Sequence, residues 1–161
     1  EAAVLAEDVS FMNTHGTATV YNDEMESKAI HLAGLETVPV HSLKSYFGHT
    51  LGASGVIESI ICIHELKENV LFGTLGYEKP GVSMPILVQA DHQEIPMKHC
   101  IKTASGFGGC NAAIVLTLPA YQKQPYGTFQ QKSTKEKPQR SSNQCGYRRF
   151  YFYYVDIWLL L

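Results

Sequence analysis

Apolar and polar residues follow two different periods along the first 118 residues. Val9-Ser10-Phe11-Met12-Asn13 predicts a short strand. From Asp23 to Leu35 the spacing becomes helical, with Met25, Ala29, Ile30 and Ala33 on one face, Asn22 or Asp23 as cap and Gly34 as stop. Val38 to Leu43 predicts a second strand, its proline near the start where a sheet tolerates it. Gly48 to Gly55 holds three glycines in eight residues and reads as a loop. Val56 to Leu66 then predicts a mostly buried helix, and Leu71 to Val88, rich in Gly and Pro, an irregular stretch. His99–Ala104 and Ala112–Leu118 read as paired strands around a glycine turn. Strand, helix, strand, helix and a strand pair fit a layered α/β domain without internal repeat.

Composition divides the chain. At 161 residues it is long enough for one domain with a real core. Residues 1–119 carry 6 basic and 13 acidic side chains, net -7, and form the expected domain. Residues 120–161 carry 7 basic and 2 acidic, net +5. A basic tail on an acidic body points either to an anionic partner or to a disordered or non-native extension. Its Gln, Lys, Ser and Pro content suits the second reading. The aromatic and apolar end, residues 150–161, is shorter than the roughly 20 residues a spanning helix needs, so no stable membrane span is expected. This end reads as a strand, an interfacial anchor or an aggregation-prone segment, and a changed reading frame would also produce it. No nucleic-acid partner is expected.

Cys62, Cys100, Cys110 and Cys145 show no metal-ligand spacing, and neither metal nor cofactor is expected. Cys62 and Cys100 sit among isoleucines and read as small buried hydrophobes. With no disulfide framework, the expected compartment is reducing and the localisation cytoplasmic. No signal peptide is visible, and the start at Glu1 without an initiating methionine leads us to expect a fragment.

Seven histidines are present, and most read as structural. His15 and His49 differ, because each lies where a strand gives way to glycine and loops present polar groups. Lys44 follows an apolar strand and either snorkels to solvent or pairs with a buried acid. Glu58 is the candidate acid. A continuous helix from His49 to Glu58 would turn by about 900° and put the two on opposite faces. They share a site only if Gly48–Gly55 is not helical, and Glu58 then lies near a helix start, where the macrodipole favours a carboxylate. Gly106-Phe107-Gly108-Gly109 is not a phosphate loop, since its lysine and serine are missing. It reads as a tight hairpin with one aromatic plug, or as a backbone amide donor beside a mobile ring.

Three segments in order carry a resemblance: His15-Gly16-Thr17-Ala18-Thr19, Lys44 through Gly48-His49 to Gly52 and Gly55, and Gly106-Phe107-Gly108-Gly109-Cys110-Asn111. With Asn22-Asp23-x-x-Glu26, they make residues 1–118 resemble the C-terminal part of a β-ketoacyl-acyl-carrier-protein synthase. The resemblance implies the C-terminal half of a thiolase-like layered α/β fold, incomplete because the first half is not in this chain. It implies elongation of an acyl thioester by decarboxylation of malonyl-acyl-carrier-protein and Claisen-type condensation. His15 and His49 would be the active-site histidines, with Lys44 holding the local electrostatics and Glu58 as its partner. Thr17 and Thr19 would bind the phosphopantetheine arm, and Phe107 would gate the acyl pocket. The partners implied are the carrier protein and a second subunit, as a homo- or heterodimer. The family's nucleophilic cysteine lies in the first half, so none is expected here, and Cys110 lacks the cationic or helix-terminal context that activates a thiol. The chain departs from the family at Ser105, commonly Phe, and at Cys110, commonly Thr.

Three functional readings follow. The first is the decarboxylating half of a condensing enzyme, inactive alone in acyl transfer. The second is a non-catalytic, chain-length-factor-like partner, against which the retention of both histidines and Lys44 argues. The third is an inert fragment whose uncovered apolar faces promote aggregation.

Overall fold

The computed structural model describes residues 4–118 and 156–160. Its frame is a mixed six-stranded sheet with a long helix on each face. The strands are β1 (Val9–Asn13), β2 (Pro39–His41), β4 (Leu87–Val88), β6 (His99–Gly106), β7 (Cys110–Thr117) and β8 (Asp156–Leu160). Their spatial order is β4-β2-β1-β6-β7-β8. The first four run parallel, and β7 and β8 are antiparallel to their neighbours. A small antiparallel pair, β3 (Val70–Leu71) and β5 (Gln93–Glu94), lies apart.

The strand alternation sorts the core into two faces. Met12, Val40, Ile101 and Val115 pack with Ile30 of helix α1 (Val20–Leu32). Phe11, Cys100 and Leu116 pack with Cys62 and Leu66 of helix α3 (Ser54–Glu68). Val9 shares the face of Met12 rather than that of Phe11, because the β1–β6 register shifts between Val9 and Phe11. Cys62 and Cys100 are fully buried, as their isoleucine neighbours predict.

The expected elements exist, with shifted edges. α1 begins three residues before Asp23, after Thr19, and closes through Gly34 at φ +68° with Leu35 N–H donating to the Ile30 carbonyl. The Gly48–Gly55 loop is shorter than expected: a single helical turn, α2 (Lys44–Phe47), precedes it, and a 3-10 turn over Leu51–Ala53 leads directly into α3. β6 and β7 extend inward to Gly106 and Cys110, so their turn is only Phe107-Gly108-Gly109, with both glycines at positive φ. The expectations for residues 120–155 lie outside the described residues, while 156–160 pair with β7 from Thr117 to Ala113.

α1 departs from its predicted face, and α3 is less buried than expected. Met25 and Ala29 of α1 and Ala33 at its C-terminal cap are exposed, and the buried residues are Glu26, Ser27 and Ile30. In α3, Val56 and Ile60 are exposed while Ser54, Glu58, Cys62, Glu65 and Leu66 are buried. Each helix is rotated to bring a glutamate inward, so bonds to a carboxylate override the apolar stripe.

Deep under the sheet, His41 Nε2 lies 3.4 Å from Glu65 Oε2, both side chains sealed from solvent. Burial, with the charge of Lys102 adding to it, holds His41 down to about 3 from 6.5. Burial pushes Glu65 up to about 8 from 4.5, against the hydrogen bond from Phe72 N–H. The contact is therefore between two neutral groups at pH 7. Between about 3 and 6.5 the unfolded chain takes up a proton at His41 that the fold refuses, so acidification costs stability in that window. Between about 4.5 and 8 the fold keeps a Glu65 proton that the unfolded chain releases, so stability falls as pH rises. Urea midpoints measured across pH are expected to show this pair's two slopes cancelling from about 4.5 to 6.5, with a decline on either side. Glu65→Gln is expected to remove the alkaline decline and keep the acid one.

Candidate functional site

The loop after β1 carries His15 and is held by one carboxylate. Glu26, buried on α1, accepts from His15 N–H at 2.9 Å, Gly16 N–H at 2.7 Å, Asn22 Nδ2 at 3.0 Å and the Thr103 hydroxyl at 2.8 Å. The Thr103 hydroxyl in turn accepts from the same His15 N–H at 3.2 Å. Gly16 takes φ +41°, and a Cβ there would meet Ser42 Cβ at 2.7 Å, so only glycine lets this loop approach β2. Ser42 Oγ closes that approach by donating to the Gly16 carbonyl at 2.7 Å.

His49 comes from the loop after α2. Its ring meets that of His15 edge to face, with centroids 5.0 Å apart and planes at 81°. Leu51 N–H donates to His49 Nδ1 at 3.1 Å, and the Ser54 hydroxyl lies 3.1 Å from the same nitrogen. An accepting Nδ1 places the ring proton of the neutral imidazole on Nε2. His15 is buried, its Nδ1 without a hydrogen-bond partner among the described residues. Burial and the Lys44 charge lower its pKa, with Lys102 and His49 acting the same way and Glu26 opposing.

Lys44 begins α2 and is buried, its Nζ 2.7 Å from Glu58 Oε1. The pairing expected from sequence forms because Glu58 stands on the second turn of α3, past a non-helical Gly48–Thr50. The sequence reading missed the other half of this contact. Lys102 of β6 places its Nζ 2.7 Å from Glu58 Oε2, with 2% of its side chain exposed, and donates to the Thr103 carbonyl. Burial lowers the Lys102 pKa, opposed by Glu58 and reinforced by Lys44. The available signal was a lysine inside an apolar strand, between Ile101 and Thr103, where the alternation leaves it no route to solvent.

A cavity of about 810 Å³ opens here, lined by Thr17, Thr19, Lys44 and His49 among others, while His15, Glu58 and Lys102 are not among its lining residues. Thr17 and Thr19 hydroxyls lie 2.7 Å apart at its mouth. Phe107 does not line this cavity: at the tip of the β6–β7 turn, its side chain is fully exposed. Among the described residues, one group has the composition of metal ligands, His41, Cys62 and Glu65, with ligand atoms within 4.8 Å of one another. No helix among the described residues is long and apolar enough to cross a membrane.

Two imidazoles and a buried lysine–carboxylate cluster beside an open cavity suit stabilisation of developing negative charge by preorganised donors. Comparison with known proteins bears on the family of the chain. The profile of the β-ketoacyl synthase C-terminal domain matches residues 1–78. The chain is 33% identical over 120 residues to 3-oxoacyl-[acyl-carrier-protein] synthase 2 of Vibrio harveyi, covering 71% of this chain and 29% of that protein. It is 30% identical over 115 residues to the polyketide biosynthesis malonyl-ACP decarboxylase PksF of Bacillus subtilis, covering 71% and 28%. A crystal structure of a β-ketoacyl synthase from Burkholderia phymatum superimposes with a TM-score of 0.64 at 32% identity, over 68% of this chain and 28% of that one. The chain thus spans under a third of the length of these relatives. It belongs to the β-ketoacyl synthase family and carries part of that family's thiolase-like α/β fold, from its C-terminal region.

Proposed function

We propose that this chain supplies the decarboxylation half of a condensing-enzyme site, acting on a malonyl group carried by acyl carrier protein. The observation that carries the reading is the His15–His49 ring pair, 5.0 Å apart beside the cavity. In the step proposed, the bond between the malonyl carboxylate and its α-carbon breaks and carbon dioxide leaves. The electron pair passes to the thioester oxygen as an enolate. His49, with its proton on Nε2, and His15, held neutral by burial and the Lys44 charge, donate to that oxygen. The enolate α-carbon then bonds to the carbonyl carbon of an acyl thioester on a cysteine that another half of the site would provide, the C–S bond breaks and the cysteine leaves as thiolate. Lys44 and Glu58 hold the electrostatics, Thr17 and Thr19 meet the phosphopantetheine arm, and Phe107 gates the acyl pocket when the turn is covered. The PksF relative is itself named a malonyl-ACP decarboxylase, which favours decarboxylation as the chemistry of this half. The carrier protein is the proposed partner, with a second subunit completing the site in a homo- or heterodimer. A chain-length-factor-like role makes less use of the paired rings.

The test is co-expression of this chain with the first half of a related synthase, followed by carbon dioxide release from malonyl-acyl-carrier-protein. His15→Ala and His49→Ala are each expected to slow release by about 10²–10³-fold. Release equal to that of the unaltered assembly would remove the assignment.

Glu26 acts on the same chemistry through the His15 loop. Glu26→Gln puts an amide where the loop's N–H groups need an acceptor. It is expected to destabilise the fold by about 1.5–3 kcal/mol in urea titrations and to slow release.

A further inference from the structure

Glu58 is one carboxylate facing two ammonium groups. Lys44 reaches Oε1 and Lys102 reaches Oε2, each at 2.7 Å, and all three side chains are at most 7% exposed. One charge of the pair is cancelled and one is not. Leaving a cation uncompensated in a buried site is costly, so a fold keeps it only where something offsets that cost. Lys44 by itself already balances the charge of the Glu58 carboxylate, so the second ammonium is surplus to charge neutrality in the cluster. Lys102 is instead tied to the histidine loop. Its Nζ donates to the Thr103 carbonyl, and the Thr103 hydroxyl joins His15 N–H to Glu26.

We propose that Lys102 is a positioning residue of this site, its ammonium giving the Lys44–Glu58–Lys102 cluster a net positive charge that favours an anionic group, the malonyl carboxylate and then the enolate, beside His15 and His49. The inference rests on the decarboxylation reading for the identity of the anion, but its electrostatic content does not. The charged groups that act on His15 come from several elements around it: Glu26 on α1, Lys44 on α2, His49 on the following loop and Lys102 on β6, while Glu58 on α3 faces the two lysines. Lys44 and Lys102 both oppose protonation of His15, and Glu26 opposes them. Lys102 therefore helps keep the ring neutral, the form that donates a hydrogen bond to an enolate oxygen without transferring its proton to it.

The experiment is a side-chain NMR titration of the histidines in the whole chain. Lys102→Met removes both charge and hydrogen bond, while Lys102→Gln keeps a donor to Glu58. Both are expected to raise the His15 midpoint by about 0.5–1 pH unit. Lys102→Arg keeps the charge and is expected to leave the midpoint where it was. In the co-expressed assembly, the acid limb of the decarboxylation profile should move with the His15 midpoint. The KM for malonyl-acyl-carrier-protein should rise about three- to tenfold in the Met and Gln variants and be restored by Arg. A His15 midpoint unmoved in the Met or Gln variant overturns the proposal, as does an equal shift in the Arg variant. An unaltered assembly that releases no carbon dioxide overturns the proposed function instead, and leaves the titration result standing.

Discussion

The carboxylate of Glu58, gripped between Lys44 and Lys102, is the contact on which the arrangement of the site turns. It sets the rotation of α3 about its axis and draws the single turn of α2 down onto the sheet. With α3 so placed, Cys62 and Leu66 fall against Phe11, Cys100 and Leu116, and one core face is complete. The same placement puts Ser54 where its hydroxyl meets His49 Nδ1. A buried ion pair contributes little net stability, since desolvation consumes most of the attraction. Its removal from one side is far more damaging, because it strands a charge. The cluster therefore acts as a specification of geometry rather than as a source of binding energy.

Glu26 plays the corresponding part on the opposite face. Its carboxylate accepts from two consecutive amides of the His15 loop and from Asn22 and Thr103. Satisfying those donors turns α1 so that Ile30 is buried while Met25, Leu32 and Tyr21 are left outside. Hydrogen bonds to a charged acceptor are worth about 1.5–3 kcal/mol. Several converging on one group outweigh the burial of a partly accessible methionine. The two helices thus share a logic in which a glutamate fixes the orientation of each and apolar residues remain on the outer surface. Patches of that kind mark interaction surfaces, and the relatives this chain matches are more than three times its matched length.

The elements themselves were legible from local pattern. Period-two alternation located β1, β2, β6 and β7, and Gly34 marked the end of α1 because its φ of +68° is one that glycine adopts without cost. The pairing of Lys44 with Glu58 was also within reach; the condition set for Glu58 to share a site with His49, a non-helical Gly48–Gly55, is met only over Gly48–Thr50, before the 3-10 turn and α3 begin. Less legible were the helix faces. Apolar periodicity counts hydrophobic residues and gives no weight to a buried carboxylate, so Met25 was assigned inward, α3 was read as mostly buried and Glu26 received no anchoring role.

Local chemistry along the chain was enough to specify where strands, turns and helix ends fall, and to pick out His15, Lys44 and His49 as unusual. Each of those depends on neighbours within a few residues, where backbone sterics and side-chain period act directly. Lys102 lies 58 residues after Lys44, and although its place in a strand hints at burial, nothing nearby in the chain identifies the carboxylate it meets. Its meeting with Glu58, and the approach of the His15 and His49 rings, came only from folding. Strand order β2-β1-β6 and the descent of α3 onto the sheet bring together groups that local order keeps apart, and electrostatic energy depends on distance in space.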